Sequence, residues 1–114
     1  MRETTEAVLL RLFIGESDDH AGRPLHEAIV LTAREMGLAG ATVLRGAAGY
    51  GRSSRLHTSK ILRLSEDLPV VIEIVDAPDR IDRFLDAAEP MLGSCLVTLE
   101  RIGIVRYGHD SGLG

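Results

Sequence analysis

LPVVIEIVDAPDRIDRFLDAAEPMLG, residues Leu68–Gly93, is the stretch whose periodicity decides the fold. Val70, Ile72 and Ile74 fall on one side of an extended chain, with Val71, Glu73 and Val75 on the other, so 68–75 is predicted as a strand with apolar residues on both faces. Pro78 then suits the first turn of a helix, where its missing N–H costs nothing. Ile81, Phe84, Leu85, Ala88 and Leu92 recur at helical spacing, while Asp82, Arg83, Asp86 and Glu89 lie largely outside that stripe. Asp76 or Asp79 is the expected N-cap. Pro90 weakens the last turn and Gly93 ends it. Strand and helix each have a face that needs covering.

Outward from this unit, the same order occurs upstream. Ala7–Ile14, AVLLRLFI, places Val8, Leu10, Leu12 and Ile14 on one face and Leu9, Arg11 and Phe13 on the other, which predicts a central strand. Gly15–Gly22, GESDDHAG, is an acidic turn, and its carboxylates are read as solvent-facing because they lack the spacing of a calcium loop. Pro24 opens a helix with Leu25, Ala28, Ile29, Thr32, Ala33 and Met36 as its stripe, and Gly37 closes it. Thr42, Val43 and Leu44 are expected as a buried strand. Ser59–Asp67 is readable either as a strand extension or as a short helical turn.

Downstream, Val97 and Leu99 alternate with Thr98 and Glu100, but Ile102 and Ile104 are out of phase with them. A bulge near Glu100–Gly103 is expected on that ground. The tail from Gly108, residues 109–114 above all, is predicted to fray. Two tandem units of strand, proline-started helix and strand predict a single α+β domain over 1–114. Its expected form is a ferredoxin-like split βαβ fold (βαββαβ), a four-stranded antiparallel sheet with two helices on one face. The other sheet face, with Val71 and Val75, would be wet in a monomer, so the pattern predicts association through it.

The totals bound the function. A chain of 114 residues with 45% hydrophobic and 26% charged residues is an ordinary globular domain, small enough to benefit from burial against sister subunits. No apolar run reaches the ~20 residues of a membrane span, and the polar RETTE after Met1 is no secretory leader, which predicts a cytoplasmic protein without membrane insertion. A net charge of −4 gives no general attraction to nucleic acid. The single cysteine, Cys95, is flanked by apolar residues and is expected to be a buried small side chain. No metal site is predicted.

Chemistry concentrates between the two units, in GLAGATVLRGAAGYGRSSRLHT, Gly37–Thr58. Gly46, Gly49 and Gly51 permit positive φ and close backbone approach. Amides turned inward beside Arg45, Arg52 and Arg55, with Ser53 and Ser54 between them, suit a phosphate or carboxylate; the same glycine and serine content equally fits a mobile surface turn. His57 beside Ser53, Ser54 or Thr58 lacks the third group and the oxyanion hole that catalysis requires, so it is expected to be a surface or ligand-contacting residue. Glu73 is a carboxylate in a run that otherwise looks buried. It is expected either in a subunit-interface salt bridge or in contact with a ligand.

GESD at 15–18, GRPLHEAIV at 22–30, AREMGLAGATVLRGAAGYG at 33–51, SRLHTSKILRLSEDLPVVIEIVD at 54–76 and VTLERIGIVRY at 97–107 together resemble the PII-like (GlnB-like) signalling proteins. The likeness is strongest for a branch catalogued as a domain of unknown function, and it covers about Ala7 to Tyr107. It implies a homotrimer whose inter-subunit clefts bind adenine nucleotides, ADP, AMP or ATP. It further implies that the 46–58 loop transmits binding to a protein partner, either a membrane transporter or channel or a regulated enzyme. By position it puts Gly49, Tyr50, Gly51 and Arg52 at the loop base where phosphates are held, Thr42 near the base or ribose, and Arg106 on the cleft wall.

Gly93 stands in a segment, Leu92–Cys95, that lacks the second glycine and the lysine of the family pattern. A site with one cation fewer is expected to prefer a mono- or diphosphate. The short loop has no tyrosine at its tip, so uridylylation is not expected. The alternatives are an adaptor subunit that needs no ligand and, less favoured, a small enzyme using His57.

Overall fold

The computed structural model describes residues 1–50 and 67–107. The main sheet has four strands, β1 (Arg2–Gly15), β2 (Thr42–Arg45), β3 (Pro69–Asp76) and β4 (Leu96–Tyr107), with helix α1 (Leu25–Glu35) between β1 and β2 and α2 (Pro78–Ala88) between β3 and β4; a two-residue ladder also pairs Asp19–His20 with Arg23–Pro24 ahead of α1. A 3-10 turn at Glu89–Met91 carries Pro90 and follows α2, as a proline in the last turn dictates. The strands lie in the order β2-β3-β1-β4, every pair antiparallel. This is the ferredoxin-like order expected from the tandem units.

Period-2 patterning sets the core. Leu10, Leu12 and Ile14 of β1 and Val70, Ile72 and Ile74 of β3 are buried together with Leu25, Ile29 and Ala33 of α1 and Ile81, Phe84 and Ala88 of α2. Each such aliphatic or aromatic side chain contributes about 1.5–3 kcal/mol through burial, so the helix layer is held by one face of the sheet. Helix α1 ends in a Schellman motif. Gly37, at φ 74°, donates to the Arg34 carbonyl at 3.0 Å, and Leu38 donates to that of Ala33 at 3.1 Å. Met36, expected in the stripe, is 38% exposed, and Leu38 packs on the core beyond the turn instead.

Four sequence expectations are corrected. Strand β1 begins at Arg2 rather than Ala7, because β4 runs beside it without interruption from Phe13↔Leu96 to Arg2↔Tyr107. That unbroken register leaves no bulge at Glu100–Gly103. The apolar phase changes because β3 reaches only as far as Val8, so, among the described residues, 2–7 pair with β4 alone. The outer half of the β1–β4 ribbon lies beyond the third strand, and its apolar residues switch face there. Strand β2 is not buried: all four residues are exposed, Val43 at 38% and Leu44 at 47%, because among the described residues β2 is an edge strand paired only to β3. Neither Asp76 nor Asp79 caps α2. The N-cap is Ala77, with no side-chain cap bond, and Asp79 pairs with Arg83 at 3.1 Å.

Asp76 does something else. Only 1% exposed, its carboxylate accepts from the Ala39 amide at 2.9 Å and the Ala77 amide at 2.7 Å, and it lies 3.0 Å from Arg80 Nε. The Arg80 guanidinium also donates to the Gly37 carbonyl. One buried carboxylate thus ties the α1–β2 connection to the start of α2, which positions β2.

Candidate functional site

The end of the sheet at Gly15, Arg45 and Pro69 is where the chain leaves for residues 51–66 and returns. Gly46 continues the ladder past Arg45, donating to the Pro69 carbonyl at 2.8 Å. A Cβ on Gly46 would lie 2.8 Å from Pro69 Cγ, so only glycine permits that approach. Gly49, at φ 134°, adopts a backbone conformation closed to other residues, and a Cβ there would come within 3.3 Å of the same proline ring. Gly46 and Gly49 therefore lay the backbone across Pro69, and Tyr50 leaves 69% exposed. The Gly46 amide, expected to help hold an anion, is already used by Pro69.

The acidic turn forms the floor of this root. Glu16 Oε2 lies 3.0 Å from Arg45 Nε, and the Glu16 amide donates to the Leu68 carbonyl at 2.9 Å. Ser17 donates to Asp67 Oδ1 through its hydroxyl at 2.7 Å and its amide at 3.2 Å. Asp18 Oδ2 accepts from the Gly15 amide at 2.9 Å. Asp67 itself holds φ 38°, a left-handed conformation that aspartate tolerates better than most residues. The turn, whose carboxylates the sequence pattern reads as solvent-facing, thus meets both ends of the loop: Glu16 at Arg45 and Ser17 at Asp67, fifty residues further along the chain. Only the glycine-acid composition of GESD hinted at it.

Of the predicted site residues, Thr42, Gly49 and Tyr50 lie along the β2 edge and its continuation. Glu73 is opposite Thr42 in register, on the sheet face away from the helices, where Leu9, Phe13, Val71 and Val75 are only partly buried. Its carboxylate accepts from Arg11 Nε at 2.9 Å, and Arg11 also reaches Glu100 at 3.3 Å. The Glu73 hydrogen bond raises the Arg11 guanidinium above its ordinary value. The partner of Glu73 is thus an arginine of its own chain, where the sequence suggests a subunit-interface salt bridge or a ligand contact. Gly93 lies between α2 and β4, at the same end of the sheet as the loop root but on the opposite edge, three strands across. Arg106 sits opposite Glu3 on the outer ribbon. The twelve residue steps of β1 from Glu3 to Gly15 separate it from the loop root by roughly 40 Å. Gly51, Arg52, Ser53 and His57 lie outside the described residues, as do Arg55 and most of Ser59–Asp67.

Cys95 is 7% exposed, and burial, then the charge of Asp18, push its thiol above the ordinary value. It is a core residue, as its flanks imply. Among the described residues no three His, Cys, Asp or Glu side chains gather as a metal site, and no helix is long and apolar enough to cross a membrane.

Residues 7–104 match the family described as DUF190, Uncharacterized ACR. A UPF0166 protein of Aquifex aeolicus is 38% identical over 97 residues, 85% of this chain and 91% of its own. One from Methanocaldococcus jannaschii is 36% identical over 80 residues, 70% of this chain and 73% of its own. Among solved structures, the apo form of CPII from Thiomonas intermedia K12, a nitrogen regulatory PII-like protein, superposes with a TM-score of 0.65 at 13% identity. It covers 94% of this chain and 100% of that one. The same protein solved bound to ADP, AMP and bicarbonate gives 0.65 at 13% identity, covering 96% of this chain and 100% of that one. At such identity the likeness is one of fold.

Proposed function

The chain belongs to the DUF190 family, and we propose that it is a PII-like regulatory protein rather than an enzyme. It binds an adenine nucleotide, ADP or AMP before ATP, at the β2 edge and loop root, in a cleft between subunits of a cytoplasmic homotrimer. It passes the state of that cleft through the 46–58 loop to a protein partner, a transporter, channel or regulated enzyme. The observation that carries this reading is the loop root, where Gly46 and Gly49 press the backbone onto Pro69 beside Arg45, at what is the sheet edge among the described residues. The nucleotides named for the solved PII-like structure add support.

Distance within one chain means that a site holding both ends of the sheet needs a second copy. Arg106 lies roughly 40 Å from the loop root, so if it reaches the phosphates it does so from a neighbouring copy. The same holds for Gly93, on the far edge of the sheet. In this reading Thr42, Gly49, Tyr50, Gly51, Arg52, Ser53 and His57 come from one subunit, and Gly93 and Arg106 from the next. Glu73 with Arg11 marks the partly buried sheet face that subunits cover.

One observation favours a ligand-independent adaptor instead: Arg45 already holds a carboxylate of its own chain. Native mass spectrometry of freshly purified protein, followed by calorimetry with ADP, AMP and ATP, separates the two. Three copies and saturable heat with ADP or AMP are expected. A monomer that gives neither heat nor a thermal shift with any of the three overturns the proposal.

A further inference from the structure

A carboxylate 3.0 Å from the described cation of an anion-binding root requires explanation. Glu16 repels any phosphate brought to Arg45 and occupies part of the guanidinium that would bind it. The contact is through Nε, on a group whose five donors form a fork suited to two oxygens at once. Both side chains keep contact with solvent, 60% for Arg45 and 31% for Glu16, so the pair can open without leaving a buried charge behind. The backbone of the turn is held separately: the Glu16 amide by the Leu68 carbonyl, and Ser17 by Asp67. The Glu16 side chain can therefore swing away while the turn stays in place.

We propose that Glu16 is a built-in counter-ion for Arg45, displaced by the anionic group of the ligand, and that it sets the affinity of the root for anions. The inference rests on the nucleotide-binding reading above. In the empty state Glu16 neutralises Arg45 and joins the outgoing end of the loop to the turn. When a phosphate takes the guanidinium, that tie is released, while the Ser17–Asp67 tie at the returning end remains. Among the contacts of the described residues, binding thus releases the Arg45 end and leaves the Asp67 end held, which makes Arg45 and Glu16 the point where occupancy is felt.

The test is calorimetric titration of ADP into the full-length protein and into Glu16→Gln, Arg45→Gln and the double variant, with melting temperatures recorded alongside. An exposed pair of this kind changes an equilibrium by about two- to fivefold. Glu16→Gln is expected to bind ADP two- to fivefold more tightly at low salt, a gain that shrinks as salt rises. Arg45→Gln is expected to bind more weakly, and most of the gain from Glu16→Gln should vanish in its background. A merely structural role gives the opposite sign, with weaker binding accompanying a lower melting temperature. Glu16→Ser serves if Glu16→Gln fails to fold. Wild-type binding with an unchanged or weaker Glu16→Gln overturns this inference and leaves the nucleotide reading standing, whereas a wild-type protein that binds neither ADP nor AMP overturns both.

Discussion

Replacing Asp76 with alanine tests whether one buried carboxylate positions the edge strand on which the proposed site stands. The side chain is 1% exposed and accepts two backbone amides, Ala39 at 2.9 Å and Ala77 at 2.7 Å. A hydrogen bond to a charged group contributes about 1.5–3 kcal/mol, and a donor stranded without a partner costs about 1–3 kcal/mol. The Ala77 amide lies at a helix start and is rehydrated more easily, so we assign it roughly 1 kcal/mol and the Ala39 amide roughly 2 kcal/mol. Arg80 is 38% exposed, so its pair with Asp76 adds only a few tenths of a kcal/mol. Asp76→Ala is therefore expected to lose about 3 kcal/mol, equivalent to roughly 12 °C in melting temperature for a chain of this size. Urea titration at pH 7 and fixed protein concentration measures it, with the slope m unchanged. Hydrogen exchange supplies the local check: the amides of Ala39 and of Thr42–Arg45 should lose protection before those of β1. A loss below about 1 kcal/mol, or protection at β2 unaltered, would refute the idea that Asp76 holds this connection.

Gly46→Ala forces a Cβ to within 2.8 Å of Pro69 Cγ and is expected to cost about 1–3 kcal/mol and to weaken ADP binding, whereas Gly40→Ala, with open space around its Cβ, should stay within about 0.5 kcal/mol in the same melt. Glu73→Ala should barely change an isolated chain, since the pair with Arg11 is about one-third exposed, but it should dissociate an assembly that covers this face. Native mass spectrometry reads the subunit number, and a trimer that survives the change argues against burial of that pair. Cys95 should react with a thiol reagent far more slowly than free cysteine at pH 8, because burial raises its pKa and leaves less thiolate. Since the unfolded thiol ionises at lower pH than the folded one, stability is full below the ordinary thiol value and falls as pH rises through the raised one. Cys95→Ala should remove that alkaline loss in pH-dependent melts.

The parts of the fold readable from sequence are those that face the helix layer. Val70, Ile72 and Ile74 repeat at period 2 because one side of β3 is sealed by α1 and α2, and Leu25, Ile29 and Ala33 repeat at helical spacing for the same reason. Where the sheet leaves that layer the signal fails. Among the described residues no third strand lies beside residues 2–7 of β1, so RETTE carries no apolar alternation, although Tyr107 through Gly103 pair with it residue by residue. The same geometry makes Ile102 and Ile104 look like the far side of a bulge. Strand β2 gave too strong an impression of burial because Val43 and Leu44 are good strand formers whatever covers them.

The candidate site was legible in composition and not in pairing. Closely spaced glycines announce a backbone that must come close to something, but Pro69, the partner, lies 23 residues beyond Gly46, and nothing local names it. Arg45 and Glu16 look, in sequence, like two independent charges, one suited to an anion and one to water. Folding brings β1 and β3 side by side and β2 beside β3, which places the turn after β1 under the end of β2. The salt bridge is thus a consequence of strand order, and strand order follows from the helix-facing pattern of strands that contain neither residue. The proposed anion site, assembled this way, is tuned from outside its own loop. A change of charge at position 16 should alter ligand affinity through Arg45 alone, with the glycine path over Pro69 intact.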